Sequence, residues 1–535
     1  MTQDWPRHPA EAIRSYRERG FREDRPLSGL LREQAARRGD RLALVSRSTR
    51  LTYAELDSRV DRLAHGLAAL PVRAGERVLV RLPNREEYVL TLFALLRIGA
   101  VPVLALPALG PAEVESLAAT AEACALVVAD RHGRTDPRAE ALRIAERLPH
   151  VRHVLVAGDP GDAPARSLDS LLSQDAAPRP EAARPEDLAL LLLSGGTTGT
   201  PKLIPRTHAD YGYNARASAQ ACAVDSDTVY LAVLPVAHNF TMVSPGIMGV
   251  LGAGGTVVLS PDPSPTTAFA LIEQEGVTLT SLVPALVPSW LDEARRTPER
   301  PSSLRVLQVG GSRLDEVTAR RIGPELGCTL QQVFGMAEGL NNYTPLDAPE
   351  EVVCTTQGRP LSPADEILIV DEDDTPVPPG VPGELLTRGP YTLRGYYRAR
   401  EPDSLRFTPD GFYRTGDLVT RTPDGDLVVV GRVKDQVNRA GEKIAAVEVE
   451  EHLLALPGVR ASAVVGMPDP HLGERSVAFL VAEGPAPSRE EIRAAMLRRG
   501  VAPFKVPDEV RTAPALPLTG VGKVDKRRLR EEAGR

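Results

Sequence analysis

The stretch Leu191-Leu-Leu-Ser-Gly-Gly-Thr-Thr-Gly-Thr-Pro-Lys202 joins the pattern of a buried strand to a loop of glycine and threonine. Glycine lets backbone N–H groups approach phosphate oxygens, while threonine hydroxyls and a lysine add donors and charge. The stretch therefore predicts a phosphate-binding loop rather than a plain flexible turn. A Walker A loop ends in Gly-Lys followed by Ser or Thr, whereas here Pro201 precedes Lys202 and Leu203 follows it. The sequence is thus not that of a P-loop NTPase.

Helical and strand patterns alternate on both sides of this loop. Thr52-Tyr-Ala-Glu55 is a capping box, and apolar residues follow it at three- and four-residue spacing as far as Leu70, which predicts an amphipathic helix. Short runs rich in valine and leucine recur between helical stretches and turns, as is typical of layered α/β architecture with largely parallel sheets. These runs are Val78–Leu82, Ala125–Ala129, His153–Ala157, Leu188–Leu193, Thr256–Leu259 and Leu304–Val309.

The pattern restarts after residue 431 with shorter elements. We place a domain boundary there, which divides the chain into a large unit, residues 1–431, and a small α+β unit, residues 432–535. The small unit is expected to contain a helix near Val447–Leu456, strands at Ala461–Gly466 and Ser476–Ala482, and a helix at Arg489–Arg499. In the large unit, the Pro-, Ala- and Asp-rich stretch Gly158–Asp187 is interpreted as a surface loop, with a turn of helix at Leu168–Leu172.

Composition excludes several classes of protein. The 535 residues carry a formal net charge of −7, which argues against a sequence-independent nucleic-acid binder. Four cysteines lie far apart and form no C-x-x-C pair, so a thiolate zinc cluster is excluded and a disulfide framework is not expected. The N-terminus is polar and the longest apolar run, residues 98–109, is too short to span a bilayer. We expect a reduced, cytoplasmic protein with no membrane partner.

Five more motifs follow the phosphate loop in a fixed order. With that loop, they resemble the adenylate-forming superfamily of acyl- and aryl-CoA synthetases, luciferases and peptide-synthetase adenylation domains. The resemblance covers nearly the whole chain, and the shared order makes coincidence a poor explanation. The motifs are Phe334-Gly-Met-Ala-Glu338, Tyr413-Arg-Thr-Gly-Asp417, Gly431-Arg-Val-Lys-Asp435, Gly441-Glu-Lys443 and Pro517-Leu-Thr-Gly-Val-Gly-Lys523.

This resemblance implies that a carboxylate attacks the α-phosphate of ATP, expels pyrophosphate and becomes an acyl-adenylate. It implies Mg²⁺ on Glu338, because a hard cation prefers oxygen ligands. It also implies that Lys523 stabilises the charge that develops at the α-phosphate. With only six lysines against 58 arginines, a lysine at either Lys202 or Lys523 is a notable choice. The implied ATP-binding residues are Ser194, Gly195, Gly196, Thr197, Thr198, Gly199, Lys202, Gly310, Gly311, Val333, Phe334 (against adenine), Gly335, Asp417 (to the ribose) and Arg432.

The same resemblance implies how the two units work together. The large unit would be the adenylation core with the ATP and acid sites. The small unit would be a mobile lid that carries the catalytic lysine. Lys434 stands at the family's hinge position, about which the lid rotates between adenylation and thioester formation.

The segment Leu234-Pro-Val-Ala-His-Asn-Phe-Thr-Met-Val-Ser-Pro-Gly246 indicates the kind of acid. Amino-acid-activating domains usually have an Asp here to pair with the substrate ammonium, but Asn239 is neutral and suits a hydroxyl. This segment, with Gln331–Leu340 and Asn342-Tyr-Thr344, resembles the stand-alone aryl-acid AMP ligases of siderophore and aryl-capped peptide biosynthesis. The class is exemplified by the ligases for salicylate and 2,3-dihydroxybenzoate.

By that resemblance, Asn239 would bond the ortho-hydroxyl of a 2-hydroxybenzoate-type ring and His238, as a catalytic residue, would border its carboxylate. Asn341 and Ser312 depart from the pattern, since small apolar residues are usual at both positions. Buried polar groups cost free energy unless they are paired. Either these two face water or backbone, or the substrate carries a further polar atom, as a hydroxypicolinate does. The remaining implied contacts are Phe240, Val333 and Ala337 around the ring and Ser244 near its 3-position.

The acceptor of the acyl group must be a thiol from outside this sequence. Leu168–Leu172 lacks the preceding Gly-Gly of a phosphopantetheine site. The resemblance implies a separate aryl carrier protein with a phosphopantetheine arm, and coenzyme A is the competing acceptor. Two alternatives to an aryl-acid AMP ligase stay open, namely an aryl-CoA ligase and a non-catalytic nucleotide-binding scaffold. Retention of Lys202, Glu338, Asp417 and Lys523 argues against the scaffold.

Overall fold

A computed structural model of the chain describes residues 4–161, 164–172, 183–194, 202–297, 302–399, 406–440, 442–520 and 522–534. These residues form a mixed α/β fold, which confirms the predicted class. The helices are α1 (Ala10–Glu18), α2 (Gly29–Arg38), α3 (Tyr53–Ala69), α4 (Glu86–Arg97), α5 (Pro111–Ala121), α6 (Pro137–Arg147), α7 (Leu168–Leu172), α8 (His208–Ala221), α9 (Asn239–Val243), α10 (Gly246–Ala253), α11 (Pro265–Glu275), α12 (Val287–Arg296), α13 (Glu316–Leu326), α14 (Glu350–Thr355), α15 (Ala446–Leu454), α16 (Arg489–Arg498) and α17 (Lys526–Ala533).

The strands alternate with these helices in the first two thirds of the chain and become consecutive after it. They are β1 (Leu42–Val45), β2 (Arg50–Thr52), β3 (Arg77–Arg81), β4 (Val101–Leu104), β5 (Ala125–Ala129), β6 (His153–Ala157), β7 (Arg166–Ser167), β8 (Leu188–Leu193), β9 (Leu203–Thr207), β10 (Val229–Ala232), β11 (Thr256–Leu259), β12 (Leu279–Leu282), β13 (Val306–Gly310), β14 (Thr329–Gly335), β15 (Asn341–Tyr343), β16 (Arg359–Pro360), β17 (Glu366–Val370), β18 (Gly383–Arg388), β19 (Tyr413–Arg421), β20 (Leu427–Arg432), β21 (Gln436–Arg439), β22 (Glu442–Ala445), β23 (Val459–Asp469), β24 (Gly473–Ala482) and β25 (Glu509–Thr512).

Two large sheets make up most of the core. One has the order β7-β6-β5-β3-β4-β8-β9 and is parallel except for β9. The other has the order β16-β15-β14-β13-β12-β10-β11-β1-β2, with a parallel centre and antiparallel strands at both edges. Helices α3, α4 and α10 contribute to a single apolar core shared by both sheets. The prediction of layered, largely parallel sheets is therefore confirmed.

Two smaller sheets follow along the chain. Strands β17 to β20 form an antiparallel four-stranded sheet in sequence order. Strands β21 to β25 form a separate sheet that packs against α15 and α16 around its own apolar cluster. A single 3₁₀ turn, Val433–Asp435, joins these two sheets. The predicted boundary after residue 431 falls at the end of β20, next to this turn.

The individual elements agree closely with the sequence patterns. The capping box at Thr52 is formed, with its side chain accepting from the backbone N–H of Glu55, and it begins α3. Four of the expected strands, β5, β6, β8 and β11, have the predicted bounds, and the other two are shifted by one or two residues. In the small unit, β23 is longer than expected because it forms a long hairpin with β24.

The surface-loop interpretation of residues 158–187 is wrong in its centre. Arg166–Ser167 adds β7 to the edge of the first large sheet, and Leu168–Leu172 forms α7, as its turn-of-helix interpretation predicted. Leu168 and Leu171 are buried against the main core. The stretch has few apolar residues, so its sequence gives little sign of a buried element. Two leucines at helical spacing are nevertheless enough to anchor one turn of helix on the core.

No helix among the described ranges is both long and apolar enough to cross a membrane.

The contact between α3 and α7 can be tested with a paired glycine substitution. A Cβ at Gly66 would lie 2.7 Å from Leu171 Cβ and its carbonyl oxygen, whereas one at Gly212 in α8 would meet nothing closer than a Leu27 methyl at 3.7 Å. Glycine to alanine inside a helix normally stabilises by about 0.5–1 kcal/mol. Gly212→Ala should do so, whereas Gly66→Ala should destabilise by about 1–3 kcal/mol because of overpacking.

Urea unfolding of both variants checks this prediction. Equal changes in the free energy of unfolding would mean that α7 does not pack on α3 as described.

Candidate active site

The predicted phosphate loop leaves the first large sheet between β8 and β9. Its base is closed by two hydrogen bonds: Ser194 N donates to the Lys202 carbonyl at 2.9 Å, and Lys202 N donates to Ser194 Oγ at 3.0 Å. Gly195, Gly196, Thr197, Thr198 and Gly199 lie outside the described residues. These two bonds link the residues on either side of the predicted loop, at the carboxyl end of the buried strand β8.

Glycines at the ends of β13 and β14 allow close approaches that any side chain would block. A Cβ on Gly310 would lie 2.7 Å from the Val333 carbonyl oxygen and 3.1 Å from the Phe240 ring. A Cβ on Gly335 would clash with the Asn341 side chain. Gly311 has a φ of +87°, which an L side chain rarely adopts. Other groups therefore pack directly on the backbone at the adjacent ends of these two parallel strands. We call the region between these strand ends, Glu338, Asp417 and Lys523 the cleft.

Glu338 follows β14 and lies in a group of tyrosines. Tyr396 OH donates to Glu338 Oε1 at 3.1 Å, and the Tyr396 and Tyr413 hydroxyls are 3.1 Å apart. The Lys202 ammonium lies 4.9 Å from the centre of the Tyr396 ring, within cation–π distance. Burial raises the pKa of Glu338 above its ordinary value, against the hydrogen bond from Tyr396. A cation beside this carboxylate would offset that cost.

Asp417 and Arg432 face each other on neighbouring strands. They are paired residues in the β19–β20 ladder, and Arg432 Nε lies 2.8 Å from Asp417 Oδ1. Burial raises the pKa of Asp417, while Arg432 and Lys523 oppose that shift. Asp417 is thus a buried carboxylate with two cations nearby, and it can accept hydrogen bonds from a neutral polyol.

Lys523 reaches this cleft from the small unit. A tight turn presents it, since Thr519 N donates to the Lys523 carbonyl at 2.7 Å and Lys523 N donates to Thr519 Oγ1 at 3.2 Å. Its Cε would be 3.4 Å from a Cβ on Gly311. Burial lowers the pKa of Lys523 to about 8, helped by the charge of Arg432 and opposed by Asp417 and Glu338. The ammonium therefore lies among the predicted nucleotide-binding groups.

Glu338 is the candidate ligand for a divalent cation in this cleft. Within the described ranges no cluster of three or more His, Cys, Asp or Glu side chains could hold a metal by itself. Glu338 supplies one buried carboxylate, which fits Mg²⁺ because this ion usually takes one or two protein carboxylates and completes its shell with water and substrate phosphates.

An apolar cluster lies beside the end of β13, where a Cβ on Gly310 would meet the Phe240 ring. Phe240 and Val333 belong to one buried cluster with Leu234, Val283 and Tyr343. His238 and Asn239 begin α9 at the edge of this cluster, and His238 Nδ1 accepts from the backbone N–H of Phe240 at 3.3 Å. Burial lowers the pKa of His238 to about 3, with a further contribution from the charge of Lys523. His238 is therefore neutral, with its proton on Nε2.

Asn341 is paired inside the protein. Its Nδ2 donates to Asn214 Oδ1 at 2.9 Å, and both residues are 2% exposed. Ser218 Oγ donates to the same oxygen, and Tyr343 OH donates to Ser218 Oγ at 3.0 Å. This buried chain satisfies the amide without any atom of a substrate. The expectation that a further polar substrate atom meets Asn341 therefore loses its support.

The other predicted substrate-binding residues range from fully buried to exposed. Ser244 is 2% exposed and bonded to Tyr343. Ala337 is partly buried against the main core, and Ser312 is exposed beyond β13, so its hydroxyl carries no burial cost. Phe334 is paired with Asn342 in the β14–β15 ladder, and Asn342 Nδ2 donates to the Phe334 carbonyl at 3.0 Å.

Lys434 lies in the turn that joins the two smaller sheets, and its charge reaches Asp417 and Lys523. Desolvation together with the charge of Arg432 lowers its pKa. Its position between the two units agrees with a hinge, and that role stays a prediction.

Several tyrosines near the cleft carried no signal in the sequence. Tyr396 holds Glu338, and Tyr211 OH donates to Asn239 Oδ1 at 3.0 Å. Tyr413 begins the motif that ends at Asp417, but the motif does not indicate its contact with Tyr396. The two partners of Tyr396, Tyr413 and Glu338, lie 17 and 58 positions away from it in the sequence. No local sequence pattern encodes such contacts.

Lys523 of the small unit lies beside the strand-end glycines and the Asp417–Arg432 pair, an arrangement that agrees with the adenylate-forming enzymes that the sequence motifs predict. Sequence comparison agrees with this assignment. The family described as AMP-binding enzyme matches residues 31–397, and the AMP-binding enzyme C-terminal domain matches residues 448–523. The chain belongs to this family of AMP-binding enzymes.

Named relatives lie within the predicted branch of the family. The chain is 50% identical to the 2,3-dihydroxybenzoate-AMP ligase of Bacillus subtilis, over 98% of this chain and 96% of that one. It is also 50% identical to the salicyl-AMP ligase / salicyl-S-ArCP synthetase of Mycobacterium tuberculosis, over 98% and 94%. The apo structure of Mycobacterium smegmatis MbtA is 48% identical, with a TM-score of 0.77 over 99% of both chains. The resemblance to aryl-acid AMP ligases is therefore confirmed.

The pairing of Asn341 can be tested by Asn341→Val. The change removes a buried donor from Asn214 and is expected to lower the free energy of unfolding by about 1 kcal/mol, the net value of one buried hydrogen bond. The same change at exposed Asn438 is the control and should alter stability by less than about 0.5 kcal/mol. Denaturant unfolding measures both, and equal effects would mean that the Asn341–Asn214 bond contributes nothing.

Proposed function

We propose that this protein activates an ortho-hydroxylated aryl carboxylic acid with ATP. The acid is of the salicylate or 2,3-dihydroxybenzoate type. The first step yields an aryl-adenylate and pyrophosphate, and the second transfers the aryl group to the phosphopantetheine thiol of a separate aryl carrier protein. The observation that carries this proposal is the position of a neutral amide, Asn239, at the edge of the apolar cluster around Phe240, where the charge of Lys523 reaches the neighbouring His238.

The nucleotide would bind along the strand ends and the four-stranded sheet. Bare backbone at Gly310 and Gly311 suits the flat adenine ring, against which Phe334 would lie. Asp417 would accept hydrogen bonds from the ribose hydroxyls, with Arg432 holding its carboxylate in place. The phosphates would extend towards Lys202 and the loop before it.

The reaction would join one carboxylate oxygen of the acid to the α-phosphorus, and the bond to pyrophosphate would break. Negative charge builds on the α-phosphate oxygens in this step, and the Lys523 ammonium would stabilise it. The protein would hold that charge in a cleft largely closed to water, where electrostatic interactions are stronger. Mg²⁺, held by Glu338, would neutralise charge on the phosphates.

The acid pocket favours a flat, neutral ring. Phe240 and Val333 would pack on the ring, and Asn239 would meet its ortho substituent. Because His238 is neutral with its proton on Nε2, it would donate a hydrogen bond to the carboxylate rather than form an ion pair. A cation there would hold the carboxylate too strongly in its ground state for attack on phosphorus.

The second half-reaction needs a thiol at the same carboxyl carbon. Lys523 occupies the cleft in this arrangement of the two units, so the small unit would have to rotate, with Lys434 at the hinge. A relative named salicyl-S-ArCP synthetase supports a carrier protein as the acceptor, and an equally similar relative named salicylyl-CoA synthase keeps coenzyme A as the competing acceptor. Formation of a thioester on coenzyme A in place of the carrier would support the competing aryl-CoA ligase.

Carboxylate-dependent exchange of labelled pyrophosphate into ATP tests the proposed reaction. The panel is salicylate, 2,3-dihydroxybenzoate, benzoate, 3-hydroxypicolinate, an α-amino acid and a medium-chain fatty acid. Exchange is expected with the first two. Benzoate should be less efficient by up to ~10⁴-fold, because a site built around a hydrogen bond rejects an analogue that lacks it.

Three outcomes of this panel would contradict the proposal. Equal rates with benzoate would remove the role of Asn239. Exchange with the fatty or amino acid alone would move the substrate to another class. Folded protein that exchanges with no acid would favour the non-catalytic scaffold.

The assigned role of Lys523 is tested by Lys523→Ala. Loss of one charge-stabilising donor is expected to reduce adenylation by about 10²–10³-fold. Thioester formation from pre-formed aryl-adenylate should stay largely intact, since it needs no attack on phosphorus. Lys505→Ala is the control, because Lys505 pairs with Glu448 within the small unit and should leave both steps unchanged. Equal loss of both steps in Lys523→Ala would refute the role.

A further inference from the structure

One buried hydrogen bond lies directly behind the proposed ring-binding amide. Tyr211, on α8, donates its hydroxyl to Asn239 Oδ1 at 3.0 Å. Tyr211 is fully buried, and Asn239 is partly exposed at the start of α9. None of the sequence motifs includes Tyr211. Its contact determines which end of the Asn239 amide faces the pocket.

The direction of this bond follows from the burial of the hydroxyl. Among the described residues, the Tyr211 hydroxyl donates its proton to Asn239 Oδ1. If the amide were rotated by half a turn, Nδ2 would face Tyr211 and the phenol proton would be left without an acceptor. Burial also raises the pKa of Tyr211 well above its ordinary value, so the group stays protonated and keeps donating. The amide is thereby held with oxygen towards Tyr211 and nitrogen away from it.

The Tyr211 ring is itself held by a buried cation. The guanidinium carbon of Arg206 lies 5.4 Å from the centre of the ring. Arg206 Nε donates to Asp210 Oδ1 at 3.0 Å, and Arg206 Nη1 donates to the Ala337 carbonyl at 3.2 Å. A cation over the ring withdraws electron density from it and strengthens the phenol as a donor. The position of the hydroxyl is therefore fixed by groups that do not reach the substrate.

The consequence concerns the hydrogen-bond polarity of the ortho substituent. In salicylate the ortho-hydroxyl can give its proton to the neighbouring carboxylate, which leaves oxygen lone pairs facing outward. In anthranilate one N–H goes to the carboxylate and the second N–H faces outward, while the nitrogen lone pair is delocalised into the ring. An outward acceptor matches Asn239 Nδ2, whereas an outward donor opposes it.

We propose that Tyr211 is a positioning residue that sets this selectivity: by holding the Asn239 oxygen, it makes the amide present only its N–H to the ring. The pocket then takes aryl acids whose ortho atom is an acceptor and rejects those whose ortho atom is a donor. The inference rests on the proposed function, since it specifies the substrate class of the same site.

The test compares Tyr211→Phe with the native protein in pyrophosphate exchange, using salicylate and anthranilate. Phenylalanine keeps the ring but frees the amide to rotate, so the ratio of kcat/KM for salicylate over anthranilate should fall at least tenfold. Tyr213→Phe is the matched control on the same helix, because Tyr213 OH donates to Ser362 Oγ at 2.7 Å instead, and its ratio should not change. A merely structural role for Tyr211 would lower both activities together and leave the ratio unchanged.

A second variant keeps Tyr211 and changes the amide. Asn239→Asp places an acceptor where Nδ2 was, with Tyr211 still bonded to the other oxygen, so preference should shift from salicylate towards anthranilate. An unchanged ratio in Tyr211→Phe, or an Asn239→Asp variant that still prefers salicylate, would overturn the inference while leaving the proposed function standing. Native protein that exchanges with neither acid would instead overturn the proposed function, and this inference with it.

Discussion

The buried ion pair between Arg206 and Asp210 is the interaction on which the rest of the site depends. Arg206 lies on β9, which begins immediately after Lys202, and only 2% of it is exposed. A buried cation is tolerated only when it is paired and hydrogen-bonded. Asp210 does this from the first turn of α8, where its carboxylate also bonds Thr207 and starts the helix. The pair therefore fixes the strand that leaves the phosphate loop to the helix behind the acid pocket.

The Arg206 guanidinium also contacts residues next to both proposed substrate sites. Its bond to the Ala337 carbonyl holds the residue before Glu338, the proposed magnesium ligand, and its contact with Tyr211 holds Asn239. The proposed nucleotide and acid sites thus share one buried support. Lys523, which arrives from the small unit, needs such a support because its ammonium must meet charge at a defined position.

Much of the fold, and the residues of the proposed nucleotide site, could be predicted from the sequence because those features are encoded locally. Strands β5, β6, β8 and β11 are continuous apolar runs, and the glycines at 310 and 335 mark places where backbone must be bare. Strand β7 and the burial of α7 were not predicted because two leucines in a polar stretch give little signal. The pairing of Asn341 could not be predicted because its partner, Asn214, lies 127 positions away and belongs to no motif. Tyr211 and Tyr396 were invisible for the same reason, since a tyrosine's hydrogen-bond partner depends on tertiary packing.

In the proposed reaction a carboxylate oxygen of the acid forms a bond to the α-phosphorus of ATP. Salicylate labelled with ¹⁸O at both carboxylate oxygens, incubated with the protein, ATP, Mg²⁺ and an aryl carrier protein, reports on this bond. One labelled oxygen should appear in AMP and the other should stay in the thioester, as mass spectrometry of both products would show. Thioester formation with unlabelled AMP, or with the label in inorganic phosphate, would contradict the proposed reaction.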